Sequence, residues 1–155
     1  MNKLLWGLGI CVILFCSYQA YQPKLSDCEK ANQRLEANKK LVADFYQQLF
    51  GDKDVDAINK YIGDVYTQHN PGVVDGKQAL TDALKAWFKN APKEKIDIQH
   101  IGADGDMVFI HLKSHIGPKI VSVVDMFKIK DGKIIEHWDV MQDVPDKSIN
   151  PHPMF

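Results

Sequence analysis

The chain has 155 residues, 45% of them hydrophobic and 25% charged, and 19 Lys and Arg stand against 20 Asp and Glu for a net charge of −1. That length suits one domain with a sizeable core of its own. Basic residues are scattered, giving no electrostatic footprint for nucleic acid, and the chain has no Gly-rich phosphate loop, paired CxxC or Ser nucleophile elbow.

The first residues read as a targeting segment. Lys3 gives a positive start, Leu4 to Cys16 is an apolar run, and Ser17 to Ala20 offers a polar exit. The run is shorter than the about 20 residues a bilayer span needs and fits the apolar region of a secretory signal. Cleavage after Ala20 is the expected outcome. Lipid attachment at Cys16 and retention as a membrane anchor through residues 4–16 are the alternatives. The protein is thus expected outside the cytoplasm, periplasmic or extracellular, touching the membrane only through this segment. Cys11 and Cys16 fall within it, which leaves Cys28 alone and no internal disulfide.

Four segments follow from this: 1–20 as signal or anchor, 21–37 as linker and helical extension, 38–146 as the domain, and 147–155 as a tail. Ser26 with Glu29 forms a capping box, and a helical pattern runs to about Phe50, with Leu41, Val42, Phe45, Tyr46, Leu49 and Phe50 on one face. Asp54 and Gly63 bracket a second short helix. Tyr66 to Pro71 (YTQHNP) is extended, because the residue before a proline avoids the helical region. Asp75 with Gln78 opens a third helix to about Asn90. Strands are predicted over 95–102, 107–116, 120–130 and 133–143, with turns at Asp104-Gly105, Gly117-Pro118 and Asp131-Gly132. The tail from Val144 holds three prolines and is irregular.

Three helices followed by an antiparallel meander is an α+β arrangement. A curved sheet wrapped around its helices leaves a conical pocket between them. Both faces of the middle strands are rich in apolar residues, which predicts a homodimer through the outer face.

The last two strands carry the chemistry. Val121, Val123, Asp125, Phe127 and Ile129 share one face, so a carboxylate sits in an apolar row, where it must be paired, protonated or used. A two-residue Asp131-Gly132 loop would set Asp125 opposite Trp138, with Glu136 and Gln142 on the same face. A three-residue loop, Lys130 to Gly132 with a bulge at Gly132, would set Asp125 opposite His137 and bring Asp139 and Met141 to the same face. The bulged closure is expected, because it spares burying Glu136 beside Phe127.

The YTQHNP segment followed by Asp75-Gly76, the ADGDMVFIH strand and the VVDMFKIKDGKIIEHWDVMQ hairpin resemble the SnoaL-like polyketide cyclase family, of the nuclear transport factor 2-like superfamily. The resemblance covers about residues 38–146. It implies a cone-shaped sheet with a central pocket and cofactor-free closure of polyketide rings by intramolecular aldol condensation. It also implies an Asp and a His on adjacent strands as acid and base, here Asp125 and His111.

The candidate set is therefore Asp125 and His111 as catalytic residues, with His69, Asn70, His137, Asp139, Trp138, Phe127 and Met141 against the ligand. His111 and His115 share one parity and His137 and Asp139 another, but no tight ligand spacing supports a metal, and no cofactor is expected. The expected ligand is a small apolar or carbonyl-bearing molecule. It is either transformed by a lyase or isomerase that abstracts a proton alpha to the carbonyl, or simply carried by a binding module.

Overall fold

The computed structural model describes residues 26–155, so the expected targeting segment, Pro23, Cys11 and Cys16 lie outside the described residues. Residues 26–34 are helical, and residues Leu35–Phe155 form a compact unit of their own. No helix among the described residues is long and apolar enough to cross a membrane.

Helix α1 spans residues 26–46 and closes in a π-helical turn, Gln47–Gly51. Gly51 is required there, because a Cβ would lie 2.8 Å from the Glu94 carbonyl oxygen. From α1, Val42, Phe45, Tyr46 and Leu49 enter the core, as their spacing predicts. Helix α2, Ala57–Tyr61, is shorter than its apolar pattern, and Gly63 does not close it; the chain passes at once into strand β1, Ile62–Gln68. Helix α3, Lys77–Trp87, buries Leu80 and Leu84 and leaves Trp87 exposed. Asp75 does not cap α3. Its carboxylate instead accepts the Gln68 backbone N–H at 2.7 Å, which fixes the end of β1.

Strands β2 (Asp97–Asp104), β3 (Met107–Ile116), β4 (Lys119–Lys130) and β5 (Lys133–Asp143) form the expected antiparallel meander. The segment around YTQHNP is longer and more ordered than its sequence suggests: β1 pairs with β5 in parallel, completing a curved sheet in the order β1-β5-β4-β3-β2. One face carries the core, with Val108, Ile110 and Leu112 from β3 and Val121, Val123, Phe127 and Ile129 from β4 packed against the helices. On the other face Phe109, Val124 and Val140 are exposed.

The final hairpin differs from expectation in where it bulges. The loop has two residues, with Lys130 paired to Lys133, and Asp131 (φ 51°) and Gly132 (φ 71°) are both left-handed, as a tight hairpin turn of this hand demands. The extra residue comes later: Ile129 pairs with Ile134, but Lys128 pairs with Glu136. Placing the bulge at Ile135 keeps Ile134 fully buried while reversing the parity of everything beyond it. Glu136 turns outward to Lys128, at 3.4 Å. His137 and Asp139 reach the Asp125 face, but the residue directly opposite Asp125 is Asp139, and His137 lies opposite Phe127.

The pairing of Asp125 with His111 that the family resemblance implies is not formed. The Gly117-Pro118 turn closes with two residues, so Ile116 pairs with Lys119, Asp125 with Ile110, and His111 with Val124 on the outer face.

Candidate functional site

Asp125 is 2% exposed, yet both of its oxygens are engaged. Tyr46, on the core face of α1, donates its phenol hydrogen to Oδ2. His137 places Nε2 2.8 Å from Oδ1. Burial and the neighbouring Asp125 push the Tyr46 phenol well above its ordinary value, so Tyr46 is a fixed donor. Tyr66 is raised likewise, by burial first and then by Asp125, Asp139 and Asp75.

The other side of the imidazole fixes its tautomer. His137 Nδ1 lies 2.8 Å from Gln68 Oε1. The same Gln68 atom accepts the Asn70 backbone N–H at 2.9 Å, and Gln68 Nε2 donates to the Tyr66 hydroxyl at 3.0 Å. An atom that accepts a backbone N–H is an oxygen, so His137 Nδ1 must carry its hydrogen. One proton is then left between His137 Nε2 and Asp125 Oδ1. Either the imidazole holds it, giving an ion pair, or the carboxyl does, giving a neutral pair. A proton that can rest on either of two adjacent groups is what general acid–base chemistry uses.

Asp139 completes the inner row. Asn70 donates its side-chain amide to Asp139 Oδ2, while Asn70 Oδ1 accepts the Gly72 N–H and holds the loop after β1. The His69 backbone N–H donates to the His137 carbonyl at 2.9 Å, continuing the β1–β5 pairing. No Lys or Arg forms an ion pair with Asp125 or Asp139 among the described residues; His137 is the one basic partner. Aromatic rings pack around the pair. Phe127 stacks on His137 with centroids 4.9 Å apart, and Tyr46 packs edge-on to Phe127.

The predicted residues thus divide into two groups. The fold brings together Asp125, His137, Asp139, Asn70 and Phe127. His69 and Trp138 lie outside that row and stack on each other with centroids 4.4 Å apart, His69 also facing Glu136 at 3.4 Å. Met141 follows Asp139 on the inner parity, but near the open end of β5, where it is 51% exposed. His111 is separated from Asp125 by the sheet itself. It bonds Ser122 Oγ at 2.8 Å and His100 Nδ1 at 3.2 Å on the outer face. Tyr46, Gln68 and Tyr66 are the residues that sequence reasoning missed. A signal existed for Tyr46: a buried tyrosine hydroxyl and a buried carboxylate each need a partner, and each answers the other. A polar groove of about 680 Å³, lined in part by Asp56, Asn59, Asp64, Asp75, Lys77 and Lys85, holds none of these residues.

With the site described, its kinship can be stated. The family profile for the SnoaL-like domain matches residues 42–137, from the core face of α1 to the histidine of the pair. The chain belongs to the SnoaL-like domain family. Solved structures agree on the nuclear transport factor 2-like fold. An NTF-2 like protein of unknown function from Burkholderia xenovorans LB400 is similar with a TM-score of 0.60 and 15% identity, over 74% of this chain and 89% of that one. An LEH-like epoxide hydrolase from M. tuberculosis is similar with a TM-score of 0.57 and 23% identity, over 70% and 85%. A presumed polyketide cyclase from Acidithiobacillus ferrooxidans is similar with a TM-score of 0.56 and 21% identity, over 68% and 87%. No curated protein matches the sequence. These likenesses establish the fold of this SnoaL-like domain and leave its chemistry to its own residues.

Proposed function

We propose that this SnoaL-like protein is a cofactor-independent lyase or isomerase that moves a proton alpha to the carbonyl of a small compound, as an aldol cyclase does. The observation that carries the reading is the contact of Asp125 Oδ1 with His137 Nε2 at 2.8 Å, with the far side of the imidazole tied to Gln68. In the neutral-imidazole, ionised-carboxylate state that follows loss of the shared proton, the pair abstracts the substrate proton. In the protonated state it returns it. The second amide hydrogen of Asn70 and the Tyr66 hydroxyl supply polar hydrogens near the developing enolate oxygen, while the Tyr46 hydrogen stays on Asp125. Phe127 gives the apolar wall. His111, on the outer face, has no part in this chemistry.

A second reading is favoured by a specific feature. Asp125 is fully satisfied by two partners, as it would be in a structural network inside a non-catalytic carrier of small apolar ligands. Turnover separates the two. Screening small carbonyl compounds against the wild type and Asp125→Asn tests the enzyme reading: turnover lost with folding retained supports it, and no turnover by wild type on any of them supports the carrier. The proposal also places the protein outside the cytoplasm, by way of residues 1–20, and as a homodimer through the exposed Phe109, Val124 and Val140 face.

A further inference from the structure

Asp125 and Asp139 are like charges directly opposite on neighbouring strands, an arrangement that is unfavourable unless something neutralises it. His137 can contribute one positive charge, and no Lys or Arg forms an ion pair with either carboxylate among the described residues. The three side chains each offer one donor atom, and these atoms lie within 4.8 Å of one another. Each side chain is also held from behind. Gln68 accepts from His137 Nδ1, Tyr46 donates to Asp125 Oδ2, and Asn70 donates to Asp139 Oδ2. An outer ring of hydrogen bonds to every ligand, leaving the inner atoms convergent, is how proteins prepare a metal site.

We infer that Asp125, His137 and Asp139 form a three-ligand site for a divalent transition-metal ion of the zinc class. The donor set of one imidazole and two carboxylates suits such ions, and three protein ligands leave a coordination position open. Donor atoms at about 2.0–2.2 Å from a tetrahedral ion are about 3.3–3.6 Å apart, so the widest pair of the trio closes by more than about an ångström on binding. On binding, His137 coordinates through neutral Nε2 and both carboxylates are ionised, so the proton shared by Asp125 and His137 leaves to solvent. The two carboxylates then match the charge of the ion. Partial exposure of His137 and Asp139 gives the ion a route in. Occupancy removes the shared proton, so the ion and the acid–base reaction exclude each other.

The test is isothermal titration of the full chain, stripped with a chelator, with Zn²⁺ alone. The expected result is one ion per chain at this site, with affinity lowered at least ten-fold by Asp139→Asn and unchanged by His100→Ala. The latter controls for the outer-face imidazole pair, His100 and His111. Loss of binding in His100→Ala with retention in Asp139→Asn would overturn the assignment, as would no Zn²⁺ binding by the wild type. Should Asp139→Asn fail to fold, anomalous diffraction from wild-type crystals soaked in Zn²⁺ decides: a peak among the three side chains supports the site, and a peak elsewhere or none refutes it. Neither measurement uses a substrate. A protein that binds zinc without turnover, or turns over without binding zinc, therefore tells the two readings apart.

Discussion

Tyr46 on α1 and Asp125 on β4, 79 residues apart, satisfy each other inside the core. The bond ties the helix to the sheet at the point where the candidate chemistry sits. Burial and Asp125 hold the Tyr46 phenol protonated past the ordinary tyrosine range, so it keeps the hydrogen it donates. Its loss should be costly. Tyr46→Phe leaves Asp125 Oδ2 buried without a donor, and a lowering of unfolding free energy by about 1–3 kcal/mol is expected in urea denaturation.

Alkaline pH gives an independent check on the same residue and its neighbour. Tyr46 and Tyr66 both have folded-state values above the ordinary tyrosine value of 10.0. The unfolded chain therefore loses these protons first as pH rises. The stability they contribute is complete below about pH 10 and declines above it, as the folded state retains protons that the unfolded state releases. Unfolding free energy measured from pH 9 to 11.5 should fall, and the fall should be shallower in the double variant Tyr46→Phe, Tyr66→Phe.

Gln68 should matter to rate more than its distance from Asp125 suggests. Gln68→Leu leaves His137 Nδ1–H without its acceptor and frees the ring to turn or change tautomer. Turnover of any substrate identified for the wild type should fall by about 10²-fold, the lower end of what a positioned acid–base group contributes. A Gln68→Glu variant, which keeps the acceptor and adds charge, should recover part of the rate and shift the pH profile upward. An unshifted profile would show that Gln68 does not act through His137.

How much of this was readable beforehand follows from what each feature depends on. His137 and Asp139 were expected on the Asp125 face through a bulge at Gly132, and they reach it through a bulge at Ile135 instead, so the row was legible and its cause was not. The partner opposite Asp125 was not legible either, because Ile134 and Ile135 are equally apolar, and only the packed core decides which is buried and where the bulge falls. The placement of His111 had a local clue in the Gly117-Pro118 dipeptide, whose two-residue closure sets Ile110 against Asp125. Parity alone could not use it, since Val108 and Ile110 on one face and Met107 and Phe109 on the other are all apolar. Only the end of strand β1, from Tyr66, was read as extended, because IGDVYTQ is short and mixed, and its parallel pairing with β5 bridges some seventy residues that carry no local signal. Gln68, at its end, was hidden with that pairing.

The outer face makes its own prediction. Phe109, Val124 and Val140 are exposed together on the side of the sheet that no helix covers. Light scattering of the protein at micromolar concentration should give twice the monomer mass, and Val124→Asp should halve it. A monomer in the wild type would remove the dimer from the account.

The central claim is that the proton between Asp125 and His137 is transferable. Asp125→Asn is well suited to test it, because the amide can keep every bond: its oxygen accepts from Tyr46, and its NH₂ donates to His137 Nε2 while Nδ1–H stays on Gln68. The fold should survive, and the base should not. The measurement is deuterium incorporation at the alpha carbon of small ketones in D₂O, followed by proton NMR with metal-free protein. The account predicts exchange catalysed by the wild type and reduced by about 10²–10⁴-fold in a folded Asp125→Asn variant. Equal exchange rates in the two proteins would contradict it.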